Sequence, residues 1–423
     1  IGEFNFHPTE VNGNLQNYSG SGTIEVGFLS EYPVQFDGLV IDENSGRAIA
    51  GTIQLDLGGR VVDAGPITAD LDAIMFGTTR ALCQGTGEMY LPVSVDTVPL
   101  TFRQVQARQD GIMGTFVIGS AELPLTGELS GFGLTWENST INILETGPDP
   151  AISSSMAGAL YIPASILDPV TDTRFQNQRA AKITFNQILI TSEGLEGSGT
   201  LEDAHPAGSL LLLSGEAGLE ILDNGLTVDL SGATLTMPEP FQDASFTGLG
   251  NLQVSATGLG GAVTDVDLSR SLDLGGGFTA GLTGFEMDAA NNVITSGGLE
   301  GRMHIPVLMQ DENDTIDFLY TVADMAVPDE GQPVRIASIE AGSVFEFSEA
   351  HFDFAVASGE VFYIDGKVVA GITGGFGTTG GDLLNFGGER SEPVTMGIGS
   401  DGQLGLTDAR ADFLENYSGL AWV

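Results

Sequence analysis

One cysteine, Cys83, two lysines, Lys182 and Lys367, four histidines and two tryptophans are all that the 423 residues hold of these types. A single cysteine forbids an intramolecular disulfide. Together with His7, His205, His304 and His351, scattered along the chain, it also argues against a zinc or iron cluster. Nucleophilic catalysis needs a base beside Ser or Cys, and so few histidines leave none in sequence reach of Cys83. No Gly-x-Ser-x-Gly elbow occurs either. The longest apolar run, around Leu210 to Leu213, is strand-sized. It falls far short of the roughly 20 residues of a membrane-spanning helix. The chain opens Ile1-Gly2-Glu3-Phe4, without Met or a basic n-region, so no leader peptide is expected within it.

Positive charge is scarce too. Fourteen Lys and Arg face 57 Asp and Glu, for a formal net charge of −43. Such a chain repels nucleic acid, whose binding needs Lys and Arg to displace counterions, and it repels anionic membrane surfaces. Its self-repulsion opposes compactness unless ions screen it. The expected setting is therefore halophilic, either saline or rich in divalent cations.

What the chain has in plenty is glycine: 60 residues, spread evenly, with 17 prolines. Glycine weakens helix interiors. Between the glycines run period-two segments such as Thr23-Ile24-Glu25-Val26-Gly27-Phe28, Thr52 to Leu57 and Leu226 to Leu230. This is the half-buried strand signal. Three weaker segments, Asp70 to Leu82, Phe175 to Lys182 and Asp408 to Asn416, read as short helices. The class predicted is all-β. An apolar fraction of 42% supplies real cores, and the length predicts two to four packing units.

One motif recurs, Gly followed by three residues, an apolar residue and Pro: Gly87 to Pro92, Gly158 to Pro163 and Gly301 to Pro306. The prolines are spaced by 71 and 143 residues, and a longer variant, Gly232 to Pro238, fills the gap. Four units of about 71 residues follow. They predict an elongated repeat architecture, a β-solenoid or tandem small β-sandwiches, with a closed propeller as the alternative. The predicted divisions are 1–60, an N-terminal β segment; 61–310, the four-copy repeat; and 311–423, a C-terminal β domain. Leu15 to Gly20 and Leu414 to Gly419 echo one another, which reads as two ends in equivalent positions of a head-to-tail assembly.

Candidate sites are few. Gly375-Phe-Gly377-Thr-Thr-Gly380 and Gly397-Ile-Gly399-Ser-Asp-Gly402 match the dinucleotide fingerprint by letter, but neither opens a helical pattern, so both read as loops. Among 57 acids, carboxylate pairs carry no information about glycoside hydrolysis. Calcium is the one cofactor expected, at Asp311, Glu312, Asn313 and Asp314, at Asp265 and Asp267, or at Asp168 with Asp172, because turns offer it carboxylate and carbonyl oxygens. N-glycosylation sequons stand at Asn17, Asn138, Asn313 and Asn416. Phe4 and Phe6 alternate with polar residues in 1–8, a segment able to add to a neighbour's sheet edge.

These features predict a non-enzymatic, extracellular or surface structural protein, a subunit of a filament, surface layer or matrix that assembles with itself. An adhesin or viral fibre that binds a surface glycan or protein is the main alternative, which a trimeric state or an aromatic-lined patch around Trp136 would favour. A polysaccharide-active β-helix enzyme comes after it. Neither nucleic acid nor membrane insertion is expected.

Overall fold

A computed structural model describes residues 4–407 apart from 15–16, 28–29, 42–47, 65–66, 78–79, 90–97, 145–151, 192–193, 223–224, 307, 310–313, 329–331, 340–343, 348–351, 379–382, 385–393 and 402–403. Among these residues there are 31 strands, one 3-10 turn at Gly127–Leu129 and no α-helix. The chain is all-β.

Two of the expected helices are strands. Asp70 to Leu82 covers most of strand Ile67–Phe76 and the start of Ala81–Met89. Its helical look comes from a bulge. Asp72 is an extra residue between Leu71 and Ala73 in the pairing with Ala81–Met89, so Ala73 and Ile74 are both buried and the period of two breaks. Phe175 to Lys182 spans the tight turn between Arg174–Phe175 and Gln178–Thr191. There Gln176 and Asn177 take positive φ of 47° and 68°. Asp408 to Asn416 lies outside the described residues.

The strands form a meander in which every strand pair is antiparallel. From Asn5–Asn14 the ladder passes through Asn17–Val26, Ser30–Ile41, Ala48–Ala64, Ile67–Phe76, Ala81–Met89 and Val98–Arg108 to Gly111–Ile118. Gly133–Ile143 takes Gly111–Ile118 and Ala121–Pro124 end to end along one edge. Ile152–Pro163, Gln178–Thr191, Gly194–Pro206 and Leu212–Leu222 follow. Leu212–Leu222 in turn carries Gly225–Asp229 and Ala233–Thr236. The ladder continues through Gln253–Ser255 into Gly258–Gly275, Phe278–Ala290, Val293–His304, Ile316–Thr321, Val334–Ile339, Phe352–Ile364, Lys367–Thr378, Val394–Gly399 and Leu404–Thr407. Hydrogen-bonded pairing therefore runs across residues 60 and 310, where divisions were expected, and across each motif proline.

Alternation gives this sheet one apolar and one polar face, and rolling buries the apolar one. In the first roll Phe4 meets Phe76 edge-on, with ring centroids 5.1 Å apart, and the Gly27 N–H donates to Gln109 Oε1 at 2.9 Å. Later strands are stitched by long-range contacts. Phe241 stacks on Phe318 at 5.9 Å and Phe246 on Phe285 at 5.1 Å. Leu210 N–H donates to Met325 O at 2.7 Å, and Val327 N–H to Gly208 O at 3.0 Å. Most of the buried hydrophobic residues form a single contiguous cluster from Phe4 to Ile398.

The repeated motif has a physical basis. In three copies its glycine lies in the second strand of a hairpin, with its Cα hard against the partner backbone. A Cβ on Gly87 would come within 2.7 Å of Thr68 O, on Gly158 within 2.2 Å of Thr135 O, and on Gly301 within 2.5 Å of Gly281 O. Only glycine permits that approach. Gly232 precedes its strand, and a Cβ there would meet nothing closer than 3.4 Å. Pro163 ends its strand and Pro306 falls two residues past one. Proline has no N–H to continue the ladder.

Candidate functional site

The residues singled out by the sequence do not converge. Asp311, Glu312, Asn313 and Asn416 lie outside the described residues, and Asp314 is exposed. Asp265 and Asp267 sit in strand Gly258–Gly275. Asp168 pairs with Arg179 at 2.9 Å and Asp172 with Arg174 at 3.0 Å, so arginines occupy both carboxylates. Among the described residues no group of three or more His, Cys, Asp or Glu is placed to hold a metal ion. Asn17 opens strand Asn17–Val26, and Asn138 lies in Gly133–Ile143. Both Gly-x-Gly-x-x-Gly matches begin inside strands rather than ahead of a helix.

The aromatic and histidine candidates are built into the fold. Trp136 is 1% exposed and packs on Phe185, with centroids 5.6 Å apart, so it lines no surface patch. Phe4 is buried against Phe76, and the half-buried Phe6 meets Phe36 edge-on at 5.2 Å. His205 lies in strand Gly194–Pro206, with Nδ1 2.7 Å from Leu211 O. His304 Nδ1 is 3.0 Å from Asp314 O. Cys83 is buried and donates its S–H to Val105 O at 3.2 Å, and burial pushes its thiol up to about 12. It stays a thiol at neutral pH and is no nucleophile.

What the fold does bring together is an acidic outer face over strands Gln178–Thr191, Gly194–Pro206, Leu212–Leu222 and Gly225–Asp229. The register sets Glu196 directly opposite Glu220 and Thr200 opposite Glu216. Glu220 is opposite Thr227, and Thr227 opposite Ser255. Glu196, Glu216 and Glu220 are exposed. Like charges directly opposed across strands are destabilising.

Two clefts open on this face. The larger, about 350 Å³, sets Glu128 and Glu220 beside the hydroxyls of Thr227, Ser255 and Thr257, over Leu129 and Leu226. The 3-10 turn Gly127–Leu129 brings Glu128 there from some ninety residues away. The smaller, about 240 Å³, is lined by Asn186, Ser198, Glu216 and Ser231. Asn186 Nδ2 donates to Thr200 Oγ1 at 3.0 Å beside it. Glycines 199 and 218 leave the floor bare. Such walls suit a hydroxyl-rich or cationic ligand.

A second charged group is partly buried. Arg335 donates to Asp324 Oδ1 from Nε at 2.9 Å and from Nη2 at 2.6 Å, and to Glu360 Oε1 from Nη1 at 3.0 Å. Thr321 Oγ1 donates to Asp324 Oδ2 at 2.7 Å. These bonds hold the guanidinium above its usual pKa, with the Asp324 bond foremost. The neighbouring Tyr320 hydroxyl is fully buried without a hydrogen-bond partner. Burial, then the Asp324 charge, pushes its pKa well above the usual value. This cluster fixes the loop that meets Gly208 and Leu210, a structural role.

Sequence reasoning missed Glu128, Glu196, Glu216 and Glu220, because no spacing rule distinguishes them among 57 acids. No protein family, no curated protein and no solved structure matches this chain.

Proposed function

We propose that this is a non-catalytic structural protein of an extracellular or cell-surface setting, a subunit that assembles with copies of itself. The observation that carries the reading is the unbroken antiparallel ladder with one contiguous core. Such a body resists deformation along its whole length, and its carboxylate face keeps assembled material hydrated. The four-unit, 71-residue reading is retained as the origin of this ladder, supported by the shared role of Gly87, Gly158 and Gly301. Screening by salt or calcium is part of the proposal, since a chain of net charge −43 repels its own copies. Exchange of strand 1–8 would have to withdraw Phe4 and Phe6 from Phe76 and Phe36, so the intact face is the better route to assembly.

Negative-stain microscopy across a salt series from none to molar, with and without millimolar calcium, tests this. Ordered filaments or sheets support it, and discrete particles under every condition refute it. The acidic cleft favours one further reading, a surface adhesin that binds a glycan. Saturable binding in a glycan screen, lost in Glu220→Gln, would favour that reading.

A further inference from the structure

The outer face of the N-terminal hairpins differs from the rest of the surface. Register places Met75 opposite Leu82, Leu82 opposite Gln106 and Gln106 opposite Met113. Because Ile143 pairs with Gly114, Leu144 falls beside Met113 at the end of that row. Met75 is 48% exposed and Leu144 55%. The row contains no carboxylate, although acids outnumber bases fourfold in the chain. Continuing the pairing of Ala81 with Ala107 sets Arg80 opposite Arg108 just beyond it. Arg103 lies on the same strand as Gln106. Arg80 and Arg103 are both exposed, and neither forms an ion pair among the described residues. Asp72 and Asp110 border the row.

We infer that this face is the docking surface for a second copy of the chain, which presents the acidic face of Glu196, Glu216 and Glu220. The inference rests on the self-assembly reading and names its interface. The occupant is chosen by charge complementarity. Among the described residues Glu196, Glu216 and Glu220 hold no ion-paired cation, and they match Arg80 and Arg103, which hold no carboxylate, beside a neutral Met and Leu row on the other face. Seating the row also covers apolar surface that a strongly charged chain otherwise exposes to water. The two faces are different patches of one chain, so the contact is heterologous and propagates as an open filament unless it closes.

Salt acts on this contact in two opposed ways. Repulsion between whole copies is long-range and is screened first, at a Debye length of about 10 Å near 0.1 M, while contacting pairs persist until it nears about 3 Å at 1 M. Assembly should peak between these limits.

Charge swapping provides the test. Arg80→Glu/Arg103→Glu and Glu196→Arg/Glu220→Arg should each raise the critical concentration for sedimentable assembly by about tenfold or more. The four changes combined in one chain should restore it, because the reversed faces again attract. Circular dichroism and melting temperature must match wild type in each variant. If wild type assembles and the double variants do so equally well, or the combined variant does not recover, this interface is wrong and self-assembly stands. If wild type stays monomeric at every ionic strength, both readings fall.

Discussion

The hairpins between residues 67 and 118 and the segment between 206 and 258 are built from the same kinds of residue, and they hold together differently. In the hairpins, strands of eight to eleven residues pair with their sequence neighbours. Their core residues, Ile67, Leu71, Phe102 and Phe116 among them, fall on a period of two broken only at bulges. In the second segment the strands after Leu222 shrink to between three and five residues. Order there comes from distant partners: Phe241 on Phe318 and Tyr320, Phe246 on Phe285, and Leu210 on Met325. Ion pairing divides the hairpins from the later chain: Arg174, Arg179, Lys182, Arg302, Arg335 and Lys367 all hold carboxylates, whereas among the described residues Arg80 and Arg103 do not. A long strand is stabilised by its own ladder, while a short one depends on what is packed across it.

The largest effect expected at the stitched segment follows removal of Phe241. Phe241→Ala should cost about 3–5 kcal/mol, the usual loss for a buried aromatic. Urea melts should show strands Gly225–Asp229 and Ile316–Thr321 losing amide protection together. Independent loss would break the comparison.

Arg335→Met should cost about 2–3 kcal/mol, because it strips the cation from carboxylates only 10% and 15% exposed, while water screens the 38% exposed guanidinium in part. Urea melts of the variant beside wild type measure the penalty, and a loss within about 0.5 kcal/mol would show that the ion pairs are dispensable. On the hairpin side, Gly158→Ala should cost on the order of 2–3 kcal/mol, since its Cβ would overlap Thr135 O. Gly232→Ala, with only ordinary contacts, should be within about 0.5 kcal/mol of wild type in the same melts.

The smallest effect at ordinary pH, and the one that grows with alkali, belongs to two buried acids, one in each half. The pKa values of Cys83 and Tyr320 are both raised by folding, so the folded chain keeps a proton that the unfolded chain gives up. Stability is therefore unaffected below the unfolded values, roughly 8.5 and 10, and falls above them by up to about 1.4 kcal/mol per pH unit per group. Cys83 acts first, up to about pH 12. Cys83→Ala should flatten the slope between pH 9 and 10 and leave the Tyr320 slope above it. A slope that persists in both Cys83→Ala and Tyr320→Phe would assign it to other groups.

How much was legible follows the same division. Thr23 to Val26 and Ile53 to Leu55 reveal their strands because alternate residues face alternate sides, a property carried by neighbours. Asp70 to Leu82 misled because a bulge imitates helical spacing, and nothing nearby marks where an extra residue will be tolerated. The motif glycines were visible as a pattern, but the reason for them, the carbonyls of Thr68, Thr135 and Gly281, was not. Of the candidate site nothing was legible. Glu128 reaches Glu220 through a turn, and Glu196 faces Glu220 only through register.

The sequence by itself determined the class. Evenly spread glycine excludes long helices, period-two runs select strands, and an excess of 43 negative charges sets the solvent face. The tertiary structure decided where the sheet rolls, which loops stitch it, and which few of 57 acids stand together. Those outcomes depend on register summed over many strands and on contacts between residues more than a hundred positions apart, which no local pattern encodes.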